Sequence, residues 1–588
     1  MRSIGSPSRL LSARRPRSLR PGMGTFVMAI LIPVLGFYLI YPVAFILLQA
    51  FNVSGLIFGE FEWGLDNWRS AFADPRVLSS VRNSFLIWGS TAIISFPVAI
   101  TIAWALARAR IPFSYPLEYL FWVAYMIPGA AIAWILLLDP AGGFLNILIR
   151  NLPFVRSLLE DPIRGPFNIF SVPGIIWTNL MANGIALKVM LLTPAFRNMD
   201  SALEEAGRVS GSSNLRTMLQ ITLPLMISPI VLVLALQLLR IFQGFETEWL
   251  LGRPINFFVY STLIFEHVRR TDPPNYHDAT VLATVTLAVI ALIVPLQRWI
   301  ITRRRYTTIS GSFRPGLIDL GGWKWIIFGS IIALHILLTF SQVGAFIIGS
   351  FMSRSGFFNV SPVFTLRHWE FVLGNSLFLT ALQTTVMLAV TAAVLSPLLF
   401  SVLAYILVRT RWPGRWALDW MIWVSAAVPG MLSGLGLLMV FLGTPGLSIL
   451  YGTIYALLLV VILQGNTTGV NLSKASIIQV GYELEEAARI SGAGWLRTYF
   501  RIWLPLLMPL LILLGVLNFV SAANATSSVI LLATRETITM SILVLQLAGP
   551  DVGKFEAASI VTIFISGMTL GVAAVARRFG LNIGIRHR

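Results

Sequence analysis

The sequence predicts an all-α membrane protein: twelve transmembrane helices in two tandem six-helix halves. Three observations lead there. Apolar runs of bilayer length recur along the chain, one polar segment occurs twice, and the basic residues fall in alternate loops. Of the 588 residues 56% are apolar and 12% charged, with mean hydropathy +0.80, whereas soluble domains carry about 25% charged residues. An ordinary soluble globular protein is excluded.

A bilayer core needs about 20 consecutive apolar residues per helix. Runs of that kind fall at 25–50, 83–107, 119–138, 165–187, 217–239 and 279–297 in the first half. The second half repeats them at 325–353, 371–408, 420–442, 447–473, 502–534 and 557–576, with the turn Gly443-Thr444-Pro445-Gly446 between its third and fourth. The organisation expected is a disordered cytoplasmic tail over 1–22, a first domain over 23–302, a cytoplasmic linker over 303–323 and a second domain over 324–588. Residues 1–22 are Arg-, Ser- and Pro-rich without periodicity, which is the reason for the tail. The apolar run that follows is about twice the length of a secretory h-region, so it reads as a first span and not as a cleaved signal.

Glu204-Glu205-Ala206-Gly207-Arg208-Val209-Ser210-Gly211 reappears as Glu485-Glu486-Ala487-Ala488-Arg489-Ile490-Ser491-Gly492. From Glu204/Glu485 to Leu225/Leu506, 13 of 22 paired positions are identical without a gap, which marks an internal duplication. Other pairs extend it: Asn83-Ser84 with Asn375-Ser376 at the start of the second span, and Pro128-Gly129 with Pro429-Gly430 inside the third. A Pro-Gly pair removes an amide donor and loosens a helix, so both third spans are expected to bend. Residues 139–170 have no long counterpart in the second half and read as an external insertion. After the fifth span, Pro254 to Phe265 and Thr537 to Pro550 are too short to cross and are expected to be re-entrant or interfacial helices.

A net charge of +18 raises the question of nucleic acid, and its placement answers it. Alternate loops, counted from the N-terminus, hold 28 Lys and Arg against nine acidic residues, and the loops of the other side hold 13 against 16. The positive-inside rule then puts both termini and both repeated loops in the cytoplasm. Only Lys188 and Arg240 are left within spans, and Lys188 is expected to snorkel toward the nearby cytoplasmic surface. With no cysteine, disulfides and thiolate metal sites are excluded.

Within each repeat, Ala202, Leu203, Ala206 and Val209 recur at helical spacing, with Glu204, Glu205 and Arg208 on the other faces; this is a short amphipathic helix that Gly211 ends. The order Glu-Ala-Ala/Gly, then Gly, then Ile-x-Leu-Pro resembles the EAA loop of permease subunits of binding-protein-dependent ABC importers, and two copies in one chain look like the fused permeases of that family. The resemblance covers nearly the whole chain. It implies the type I importer (MetI-like) fold and a bacterial inner-membrane location. It also implies an ATP-binding cassette ATPase dimer on the cytoplasmic side, a periplasmic solute-binding protein and one copy of this chain per complex. The ATPase-coupling contacts would be Glu204, Glu205, Ala206, Gly207, Gly211 and Glu485, Glu486, Ala487, Ala488, Gly492. Gly207 departs from the family's second alanine, which weakens a helix by roughly 0.5–1 kcal/mol.

No phosphate-cradling Gly-rich loop with Lys occurs, so this chain is expected to bind no cofactor itself, ATP and Mg residing on the partner. Neither a nucleophile with a base nor a paired-carboxylate constellation is present, and His267 and His277 match no metal spacing. The candidate solute pathway lies around Gln237, Arg240, Gln243 and Glu246 in the first half and Asn518 and Asn524 in the second. Fused pairs of this type look most like iron(III) permeases, with thiamine, phosphonate and polyamine systems as alternatives. An ion-coupled secondary carrier is the rival from another class.

Overall fold

The computed structural model describes residues 23–54, 61–157, 159, 161, 163–199, 202–238, 240–303, 317–410 and 414–578. The tail 1–22 and the middle of the linker, 304–316, lie outside them. Among the described residues the protein is all helical, with isolated backbone bridges and no strand.

Seven helices are long and apolar enough to cross a membrane, and five bent pairs bring the number of spans to twelve. Span 1 is Met23–Leu39 with Tyr41–Gln49, span 2 Pro75–Arg108 and span 6 Tyr276–Arg303. In the second half, spans 7, 8, 11 and 12 are Trp323–Phe351, Ser376–Arg409, Trp495–Ala523 and Phe555–Arg578. The third spans break hardest, as their Pro-Gly pairs require. Ser114–Met126 meets Ala130–Leu138 at 94°, and Arg415–Ser425 meets Gly430–Gly443 at 111°. Spans 4 and 5 bend by 43° within Val172–Arg197 and by 60° within Met218–Leu238, and span 10 by 44° within Ile454–Gln479. The expected short helices after the fifth spans are Tyr260–Arg269 and Met540–Ala548. Both are started in the same way. The Ser84 hydroxyl of span 2 accepts from the Tyr260 amide at 3.0 Å, and the Thr385 hydroxyl of span 8 accepts from the Met540 amide at 2.8 Å.

The two sequence halves interleave. Span 1 lies against span 9 of the other half: Tyr41 Oη and Thr444 Oγ1 are 3.2 Å apart, and a Cβ on Gly436 would stand 2.9 Å from that of Pro42. Span 7 lies in return against the first half, with His335 Nε2 at 3.1 Å from the Leu117 carbonyl and Gln342 Nε2 donating to the Met181 carbonyl at 3.1 Å. Helices apolar all round have no solvated face to tell them which neighbour to choose, so this exchange is invisible to hydropathy. The insertion folds around Asn146, whose Nδ2 donates to the carbonyls of Leu138, Asp139 and Phe167 at 3.0, 2.9 and 2.8 Å.

Candidate functional site

The repeated segments form the helices Ala202–Val209 and Glu483–Ile490, each ended by a glycine at positive φ, Gly211 at +85° and Gly492 at +74°. That conformation costs any residue with a Cβ, so glycine is the residue that lets the chain turn away. Sequence periodicity left open which face of each helix points inward. The structure buries the first acid of each copy and exposes the apolar stripe. Glu204 is fully buried against Arg108, at the end of span 2, whose Nε donates to it at 3.1 Å, and Thr222 donates at 2.6 Å. Arg108 also donates to the Met199 carbonyl at 3.0 Å. Glu485 is likewise buried, but it accepts from the Tyr405 hydroxyl of span 8 at 2.9 Å and from the half-solvated Arg489 at 2.8 Å.

Val209 and Ile490 are 90% and 88% exposed, joined on the surface by Leu203, Glu205 and Ala206 in the first copy and Leu484, Glu486 and Ala487 in the second. Of the ten residues expected to make coupling contacts, Glu204, Glu485 and Ala488 therefore point into the protein, and Gly207 is half-buried. The reason is charge pairing: a guanidinium or phenol at the end of a long span offers a carboxylate more than water does at a crowded helix base. An alanine methyl at 207 would meet Ile221 Cδ1 at 2.6 Å, so the end of that side chain would have to shift to admit it. An ion pair ties the next span in each half: Arg197 to Glu118, and Lys474 to Asp419 at 2.7 Å.

Away from these helices, a cavity of about 410 Å³ opens where spans 3, 4 and 5 break. It collects Gln237, Arg240, Gln243 and Glu246 with Asn524 of the second half. Asn518 is not brought there; its Nδ2 donates to the Leu514 carbonyl of its own helix at 2.7 Å. Sequence reasoning missed Lys188. Instead of snorkelling it is 2% exposed, lines the cavity, donates to the Gly184 carbonyl at 2.6 Å and stands 5.1 Å from the centre of the Phe96 ring. The π-helical turn Leu180–Gly184 precedes it and shifts the register of the helix, and Asn183-Gly184 before an isolated Lys was the available signal. On the short helix Glu246–Gly252, outside the candidate spans, Glu248 accepts from Asn179 Nδ2 at 2.9 Å. Burial, and then the neighbouring Glu248, push Glu246 up to about 7.

A family model described as "Binding-protein-dependent transport system inner membrane component" matches residues 95–306 and 398–580, most of both halves. The chain belongs to this family. As a permease component of the inner membrane, it is similar to the putative ferric transport system permease protein FbpB 1 of Haemophilus influenzae, 27% identical over 372 residues, covering 60% of this chain and 57% of that one. The ferric transport system permease protein FbpB of Actinobacillus pleuropneumoniae is 26% identical, over 60% of this chain and 52% of its own. The chain thus spans a little over half the length of these relatives. The maltose/maltodextrin permease protein MalG of Escherichia coli is 26% identical over 47% of this chain and 89% of its own. Among solved structures, a bacterial ABC transporter that imports the acidic polysaccharide alginate has a chain that aligns at TM-score 0.40 and 20% identity, covering 48% of this permease and 96% of that chain.

At the end of the permease opposite the loop helices, the halves are tied by charge. Arg253 Nη1 donates to both oxygens of Asp551, at 3.0 and 2.9 Å, Arg270 joins the same carboxylate, and Arg269 donates to the Leu531 carbonyl at 2.8 Å. Hydrogen bonds from Arg270 and Arg253 hold Asp551 below the usual carboxylate range. Its contribution is therefore present above the ordinary carboxylate pKa and lost only as the pH falls through the depressed value.

Proposed function

We propose that the chain is the translocating permease of an ABC importer. It receives a small solute, with ferric iron the best reading, from a periplasmic binding protein and is driven by a separate ATPase dimer. The observation that carries this is the pair of loop helices. Each turns an apolar stripe outward at the same end of the bundle, with the second acid of the repeated pair, Glu205 or Glu486, while the first, Glu204 or Glu485, anchors it inward. Exposed apolar residues in a loop rimmed by charge mark a protein contact, and two equivalent stripes suit a two-fold partner. Both termini and these helices are read as cytoplasmic from the basic excess of their loops. The ferric assignment rests on the names of the two FbpB relatives; the maltodextrin relative, at similar identity, keeps other solutes such as thiamine, phosphonate or polyamine as the second reading.

The test is reconstitution. The tagged chain, reconstituted with an ATP-binding cassette ATPase and a solute-binding protein from the same organism, should accumulate radioactive iron in proteoliposomes only when ATP is hydrolysed. Uptake that follows an ion gradient without ATP would make it a secondary carrier. In the same system, Asp551→Asn removes a solvated ion pair of the kind that contributes under about 1 kcal/mol, so ATPase activity without binding protein should rise by no more than about fivefold. A larger rise would mean that the pair dominates closure of that end.

A further inference from the structure

The cavity presents two cations, Lys188 and Arg240, that form no ion pair among the described residues, although Glu246 and Glu248 line the same space. Lys188 spends one hydrogen bond on the Gly184 carbonyl and has no ion pair among the described residues. Arg240, exposed and lining the same cavity, makes no side-chain hydrogen bond or ion pair among the described residues, and it is near enough to Lys188 for the two charges to repel. A buried cation without a counter-ion costs several kcal/mol, and a second one nearby adds to it. Such an arrangement persists where something else brings negative charge. Ala130 and Ala131, the first residues of the helix Ala130–Leu138, open onto the same space. Their amide N–H groups lie in the first turn, where no helical carbonyl can accept from them, and they add partial positive charge.

The acids of the cavity do not pair with these cations. Glu248 accepts from Asn179 Nδ2 at 2.9 Å, burial pushes Glu246 up to about 7 so that it is only partly charged near neutral pH, and neither forms an ion pair with Lys188 or Arg240 among the described residues. No three of His, Asp or Glu stand together as a metal-ligand set among the described residues.

We propose that the cavity holds its cargo by an oxyanion group seated between Lys188, Arg240 and the amide end of Ala130–Leu138, so that a metal cargo passes as an anion-ligated complex and not as a bare cation. The inference rests on the permease reading and deepens it. The recognised chemistry is an anionic oxygen on phosphorus or carbon, which a free oxyanion and a ferric carboxylate complex share.

The experiment is equilibrium binding to the full chain in nanodiscs, using labelled inorganic phosphate, citrate and ferric citrate, with the emission of Trp88, which lines the cavity, as a second readout. At least one probe should bind. Arg240→Gln and Lys188→Gln should each weaken it at least tenfold, and Glu246→Gln should bind as well or more tightly. Binding of phosphate or citrate alone assigns a free oxyanion; binding of ferric citrate alone assigns the complex. Because Arg240 is exposed, its variant keeps the test valid if Lys188→Gln does not fold. Wild-type affinity in a thermally stable Arg240→Gln, binding abolished by Glu246→Gln, or no binding of any probe would each overturn the inference. ATP-driven iron uptake that continues in those cases would leave the permease reading standing. Oxyanion binding without any ATP-driven uptake would sink that reading instead.

Discussion

Arg108→Leu is expected to be the most destabilising single change around the two loop helices. It takes from the Glu204 carboxylate, with no exposed surface, the buried guanidinium that donates to it, and breaking one side of a buried pair costs about 3–5 kcal/mol. Tyr405→Phe, at the corresponding place in the second half, removes one hydrogen bond to a carboxylate that Arg489 still serves, which costs about 1.5–3 kcal/mol or less. Thermal unfolding of the purified chain should therefore rank Arg108→Leu well below Tyr405→Phe. The double variant Arg108→Leu with Glu204→Leu should recover much of the loss, because a buried pair replaced by apolar residues is often neutral. Equal losses in the two halves, or a double variant no better than the single, would refute this account of how the loop helices are anchored.

The second large effect is on transport and not on folding. Gly211→Trp combined with Gly492→Trp should reduce ATP-dependent uptake at least tenfold. In both places the Cβ position is open, with nothing within 4 Å. The intramolecular cost is then the left-handed backbone alone, roughly 1–2 kcal/mol per site, and the variant should still be purified in normal amount. A bulky ring beside Val209 and Ile490 would instead obstruct whatever seats on those stripes. Unchanged uptake would mean that nothing docks there, and the helices would serve only to cover their own spans.

Much of the architecture was legible in the sequence because its causes are local. Span lengths follow from uncharged runs, and the third-span bends follow from Pro128-Gly129 and Pro429-Gly430. The turn after each loop helix follows from a glycine. Besides the interleaving of the halves, three features were not legible. The inward acid of each loop helix could not be identified, since Glu204 and Glu205 are chemically alike and the groups that receive Glu204, Arg108 and Thr222, are remote in sequence. Lys188 is buried just after a π-helical turn, a one-residue change of register that a 3.6-residue period does not reveal. Asn518 had the composition of a pathway residue but lies along its own helix, where its amide satisfies itself on Leu514.

The interleaving of the halves has a consequence for how the molecule is made. Gln49 ends a span whose neighbour begins at Arg415, 366 residues later (415 − 49). At ribosomal rates of about 5–20 residues per second, that neighbour emerges roughly 20–70 s afterwards. During that interval the first helix must wait in lipid beside whatever the translocation machinery provides, so its final seat is taken only late in synthesis.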